Sequence, residues 1–194
     1  MRQIFASFSR ASKWAEVCLW AVGFLALGYG GAVSLKAWLA QTEGSEEIDA
    51  GIARSDAPRL AAGSLVGRVE IPRLGMSVVV FEGTDSNILD LGAGHWSGSA
   101  LPGESGNVVM AAHRDTFFRG LRNIREDDVV NVSTTQGARR YLVDSTRVVD
   151  PHEVGVLAPT AQPSLTLITC YPFEYFGHAP QRFIVRAREI EDKQ

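Results

Sequence analysis

Residues 129–149 read VVNVSTTQGARRYLVDSTRVV, two runs in which β-branched and apolar residues alternate with polar ones, joined across Gln136-Gly137. A period of two marks strands with one buried face, and a Gly-containing pair between two such runs marks a hairpin. The same signature recurs outward from this hairpin. Upstream lie LVGRVEI (65–71), SVVVFEG (77–83) and NVVMAA (107–112); downstream lie LTLIT (165–169) and QRFIVRARE (181–189). Gly, Pro, Asn and Asp separate the runs, so at least seven strands are expected. Three short helical pieces interrupt them: SNILDLG after Asp85, the stretch from Phe117 to Ile124, and a turn after Pro151 for which Asp150 is the expected N-cap. None has the length of a crossover helix joining parallel strands. The expectation is an all-β domain over 63–194, a closed or nearly closed barrel that hides its strand edges.

The rest of the chain sets the compartment. Val17 to Leu35 (VCLWAVGFLALGYGGAVSL) carries no charge. As a helix it covers roughly 28 Å, close to the hydrocarbon thickness of a bilayer. Arg2, Arg10 and Lys13 precede it, while Glu43, Glu46, Glu47 and Asp49 follow. The positive-inside bias therefore puts the N-terminus in the cytoplasm and the bulk of the chain outside. A cleaved signal peptide fits less well, because the apolar run is too long and its small-residue site, Gly30-Gly31-Ala32, lies inside it. The expected order is a cytoplasmic segment (1–16), a transmembrane anchor (17–40), a tether rich in acids, Gly and Ser (41–62) and the barrel (63–194). With 19 basic against 22 acidic residues the chain has a formal net charge of −3 and no dense Lys/Arg run, which argues against nucleic acid as a partner.

Of the two cysteines, Cys18 falls in the anchor, leaving Cys170 as a lone thiol in an oxidising exterior. It is either a small buried hydrophobe or a working nucleophile. Its neighbourhood favours work: Cys170 ends an apolar strand, and Arg182 opens the next one after the loop YPFEYFGHAP. If those strands pair antiparallel, thiol and guanidinium meet at one end of the barrel, where a cation favours thiolate and polarises a carbonyl under attack. His113, at the end of NVVMAA, is the candidate acid and base. His95, in the Gly-rich GAGHWSG, reads as a loop residue that shapes a cleft and touches substrate. His152 reads as solvated, and His178 as a surface residue of the loop between Cys170 and Arg182. Asp115 either orients His113 or is a solvated turn acid. Glu104 and Asn107 read as loop stabilisers. The Cys and His residues lack the compact spacing of a zinc site, and no metal or other cofactor is expected.

Taken together, LTLITCYPF, AAHRDTFF and APQRFIVRA resemble the Cys, His and Arg segments of sortases, in the order that family has them. The blocks ALPGESGNVVMAAHRDTFFRGL and VVDP…VLAP look most like its class D branch and relatives in Gram-negative bacteria. The resemblance covers roughly Leu65 to Arg188. It implies an eight-stranded barrel, one strand more than the pattern provides, with His113, Cys170 and Arg182 as the catalytic three and Thr169 lining the substrate groove. It also implies transpeptidase chemistry: cleavage of an LPxTG-like sorting signal on a partner protein, a thioacyl enzyme, and transfer to an amine. Two other readings share the anchor and barrel, an L,D-transpeptidase and a noncatalytic binding module. The first expects a compact S-x-G-C-x-R pattern, which Thr169-Cys170-Tyr171-Pro172 does not match.

Overall fold

In the computed structural model, residues 18–25, 27–29, 31, 34–36, 38–39, 60–175 and 177–190 are described. The expected cytoplasmic segment and nearly all of the tether lie outside these residues. Two units are described separately, Met1–Trp38 and Leu39–Gln194. The first holds α1 (Cys18–Lys36), a helix long and apolar enough to cross a membrane, with every described side chain exposed.

The second unit is a closed barrel of eight strands: β1 (Leu65–Ile71), β2 (Met76–Glu82), β3 (Ala93–His95), β4 (Asn107–Ala111), β5 (Val129–Thr134), β6 (Gly137–Val149), β7 (Ser164–Tyr171) and β8 (Gln181–Ile190). Around the barrel the order is β1-β2-β3-β4-β7-β8-β6-β5. The alternation seen in the sequence places Val69 and Ile71, Val130 and Val132, Tyr141 and Val143, and Leu165 and Leu167 in one interior cluster. Each such aliphatic side chain contributes about 1.5–3 kcal/mol by leaving water. The β5–β6 hairpin closes on the pair Thr134↔Gly137. Its turn residues are thus Thr135 and Gln136, with Gln136 N–H bonded to the Thr134 hydroxyl at 3.1 Å and Gly137 at φ 130° opening the second strand.

The eighth strand is β3, which the sequence presents as a Gly-rich loop. It is three residues long and pairs parallel to β2. A Cβ on Gly94 would lie 2.2 Å from the Gly83 carbonyl oxygen, so only glycine allows this approach. A second parallel pair joins β4 to β7. The expectation that parallel pairing needs a long crossover helix is corrected: a four-residue helix, α2 (Ser86–Leu89), serves β2–β3, and the whole β5–β6 hairpin lies between β4 and β7. The piece near Phe117 is a 3-10 turn, Arg119–Asn123. The piece after Pro151 is another, Val154–Leu157, preceded by Glu153 rather than capped by Asp150. Asp150 instead accepts from the His152 N–H at 2.9 Å.

The β6–β7 connection lies on the outer face of the barrel. There Val156 packs with Val149 and Ile184, backed by Leu157 and Ile168. Buried Asn107 holds it, donating to the Val156 and Ala158 carbonyls at 3.2 Å each and accepting from the Thr166 hydroxyl at 2.7 Å. Between the end of β1 and the start of β5, Arg73 donates to both carboxylate oxygens of Asp128 and to the Asn123 carbonyl. That side-chain bond, aided by the Arg125 N–H and opposed by burial, holds the Asp128 carboxyl below its ordinary value of 3.8.

Candidate active site

Strand parity builds the site. On β7, Leu165, Leu167 and Thr169 point inward, so Ser164, Thr166, Ile168 and Cys170 point outward. Antiparallel pairing sets Cys170 opposite Arg182, Ile168 opposite Ile184 and Thr166 opposite Arg186. Directly opposed residues have Cα atoms about 5 Å apart and share a face. Cys170 is a free, half-buried thiol, and the Tyr171–Pro172 bond that follows it is cis.

On the other flank of β7, parallel β4 ends on the pair Ala111↔Ile168. Ala112 continues the ladder, its N–H bonded to the Ile168 carbonyl at 3.2 Å. His113 is the next residue and leaves the sheet beside Cys170. An open cavity of about 390 Å³ is lined by His113, Cys170 and Arg182 together with Arg114, Asp115 and His178. Folding therefore brings the sulfur, the imidazole and the guanidinium to one cavity from three separate strand ends.

Several contacts fix this geometry. Arg182 Nη1 donates to the carbonyls of Ala179 at 3.2 Å and Gln181 at 2.9 Å, tying the guanidinium to the end of the β7–β8 loop and leaving further N–H groups for a ligand. Arg114 donates to the Tyr175 and Gly177 carbonyls and lies 5.9 Å from the Tyr175 ring. The loop bearing His113 is thus clasped to the loop between Cys170 and Arg182. Under that loop Phe173 and Phe183 meet edge to face at 5.3 Å, and Tyr171 stacks on Phe183 at 6.2 Å.

The remaining sequence candidates divide. Asp115 borders the cavity but makes no ion pair with His113 among the described residues; the carboxylate near that imidazole is Asp90, 3.5 Å from Nε2. No motif pointed to Asp90, because it arrives from the end of α2. His178 lines the cavity, whereas His152 is exposed elsewhere. His95 is corrected. It is 1% exposed on β3, its Nδ1 sits 2.7 Å from the Glu82 carboxylate, and its Nε2 lies 2.9 Å from both the Ala100 carbonyl and the Ser99 hydroxyl. Every polar atom of that ring is already used, and the ring braces the barrel. Thr169 is corrected likewise: it is 2% exposed, faces inward and donates to the Ala112 carbonyl. Glu104 stabilises its loop as expected, accepting from the Leu101 N–H at 2.9 Å.

A second cavity of about 180 Å³ adjoins the first across Arg182 and is mainly apolar, walled by Val149, Pro151, Val154, Leu157, Ile168 and Ile184. A nucleophilic sulfur, a proton-carrying ring and a cation beside an apolar slot make a set able to form a thioester from a peptide bond and discharge it to another nucleophile.

A family model described as the sortase domain matches residues 69–190. Sortase D of Bacillus subtilis (strain 168) is 33% identical over 129 residues, covering 66% of this chain and 65% of that protein. The chain thus spans just under two thirds of that relative's length. Among solved structures, a Clostridium perfringens sortase D5 transpeptidase superposes with a TM-score of 0.69 at 23% identity, covering 78% of this chain and 99% of that one, a likeness of fold. Sortase C-1 from Actinomyces oris superposes with a TM-score of 0.62 at 28% identity, covering 80% and 86%.

Proposed function

The chain belongs to the sortase family, and from that premise we propose that it is a membrane-anchored cysteine transpeptidase that cleaves an LPxTG-like sorting signal and joins the acyl fragment to an amine, fixing proteins at the cell surface. The observation that carries this reading is the single cavity lined by Cys170, His113 and Arg182, with Cys170 and Arg182 opposed in register.

Cys170 sulfur attacks the carbonyl carbon of the Thr–x peptide bond. Arg182 N–H groups stabilise the oxygen as it gains charge, and a guanidinium held by its own loop needs little reorganisation to do so. The C–N bond breaks, His113 gives a proton to the departing amine, and a thioester remains on Cys170. An incoming amine then loses a proton to His113, attacks the thioester carbonyl, and releases the thiolate as the new amide forms. Water is the competing nucleophile. His113 lies on the β4 flank of Cys170 and the apolar cavity on the β8 flank, so the leaving amine belongs on the first side and the Leu-Pro portion of the signal on the second.

Anchoring rests on α1, whose length matches the bilayer core and whose flanking charges favour a cytoplasmic N-terminus with the barrel outside. The test is incubation of the full chain with LPxTG-like peptides and candidate amines, followed by mass spectrometry of the products. The expected result is a new amide made by the wild type and not by Cys170→Ala, with Arg182→Ala slower on the order of 100-fold. Turnover by Cys170→Ala equal to wild type contradicts the assignment.

A further inference from the structure

We propose that the acyl groove continues past its apolar cavity into an arginine-lined cavity that receives an acidic side chain immediately upstream of the sorting signal's leucine. This rests on the function proposed above. Three cavities follow one another along the outer face of β8, in the order of its alternate residues Arg182, Ile184 and Arg186. The third, of about 360 Å³, shares Glu153, Val156 and Ile184 with the apolar one and adds Arg147, Arg186 and Ser145.

A fault in β6 creates it. The register shifts between Val143 and Ser145, so one extra residue is inserted into the strand. Before the shift Tyr141 and Val143 fill the barrel; after it Ser145 stands opposite Arg186, Arg147 opposite Ile184 and Val149 opposite Arg182, all on the outer face. The bulge thus turns a guanidinium and a hydroxyl toward the groove instead of into the core.

The charges do not balance there. Arg147 is ion-paired to Glu153. Arg186 makes no ion pair among the described residues and is only half-exposed, in a cavity whose sole acid already has a partner. The excess is one positive charge beside the Ser145 hydroxyl, which suits a carboxylate.

Spacing identifies which residue arrives. From the Cys170–Arg182 rung to the Thr166–Arg186 rung is four residues of strand, about 13 Å at roughly 3.3 Å each. An extended peptide with its threonine carbonyl at Cys170 covers that distance in four residues, which brings the one before leucine to Arg186.

The test uses three fluorescent peptides with one LPxTG-like core, preceded by Glu, Gln or Lys. Binding is measured with full-chain Cys170→Ala, and kcat/KM with the wild type. The Glu peptide should bind roughly three- to tenfold more tightly than the Lys peptide, less so in high salt, and Arg186→Glu should reverse the order. Equal affinities, including no measurable binding of any peptide, overturn the inference, as does a Glu preference that survives Arg186→Glu. The milder Arg186→Gln, expected to abolish the preference without reversing it, serves if Arg186→Glu does not fold. Cleavage of all three peptides at one rate overturns the subsite and leaves the transpeptidase reading standing. Charge-ordered binding with no cleavage by the wild type supports the subsite and overturns that reading.

Discussion

The Thr169 hydroxyl donates to the Ala112 carbonyl at 2.7 Å, joining the residue before Cys170 to the residue before His113. Both groups lie inside the barrel, under the reactive pair. One buried bond thus sets the spacing of sulfur and imidazole from below, where no substrate reaches it.

Thr169→Val keeps the shape and removes the donor, leaving the Ala112 carbonyl without its side-chain partner. Stability should fall by about 1–3 kcal/mol. Activity should fall by on the order of tenfold or more, because small displacements of reacting groups are costly. Thr169→Ser should recover most of both. Peptide turnover and denaturant melts on the three proteins check this; full activity in the valine protein would remove the positioning role.

Asn107 anchors the outer wall of the groove through two donated bonds, to the Val156 and Ala158 carbonyls, and two accepted ones, from the Thr166 and Ser164 hydroxyls. Asn107→Ala should destabilise the domain by about 1–3 kcal/mol and raise KM more than it lowers kcat, since the apolar wall carrying Val156 and Leu157 loses its tie. Steady-state kinetics with the same peptide decide between this split and a purely structural effect.

Asp128 gives the fold a defined response to acid. Its folded carboxyl titrates below the ordinary value because of the bond from Arg73. The stabilisation is therefore present above the ordinary value of 3.8 and is lost as pH falls through the folded one. The gap in unfolding free energy between wild type and Asp128→Asn should be widest at neutral pH and narrow as the pH falls below the ordinary carboxyl value. A gap independent of pH would show that the ion pair is not its source.

Tyr141 is fully buried and its hydroxyl has no hydrogen-bond partner among the described residues, while burial pushes its phenol well above the usual range. Removing an unpaired buried hydroxyl relieves a desolvation cost, so Tyr141→Phe should leave stability equal or raise it by up to about 1–2 kcal/mol. Thermal melts measure it, and a clear loss would mean the hydroxyl is satisfied in solution.

The barrel was legible wherever a strand is long enough to show its period. Residues 129–134 alternate with one buried face, and β6 does so through Tyr141 and Val143 until the bulge before Ser145 breaks the period. Strand β3 was not legible: three residues display no period, and what holds it is the closeness of Gly94 to Gly83, a tertiary fact. His95 was misread for the same reason, since a polar residue in a Gly-rich stretch looks like a loop until Glu82 is seen beside it. Thr169 was misread although the signal was there, because it shares the parity of Leu165 and Leu167 and so had to face inward. That Cys170, His113 and Arg182 share one cavity could be expected because each stands at the end of a readable strand. Asp90 and Arg186 could not, since only the folded barrel brings the first to His113 and leaves the second in a cavity without a partner.

The most direct measurement is the mass of the intact protein after brief mixing with a sorting-signal peptide, followed by mapping of any adduct. The account predicts a gain equal to the acyl fragment, carried as a hydroxylamine-labile thioester on Cys170 and discharged when an amine is added. An adduct mapped to another side chain, or peptide cleavage with no adduct formed by a protein that keeps its activity as Cys170→Ala, would contradict it.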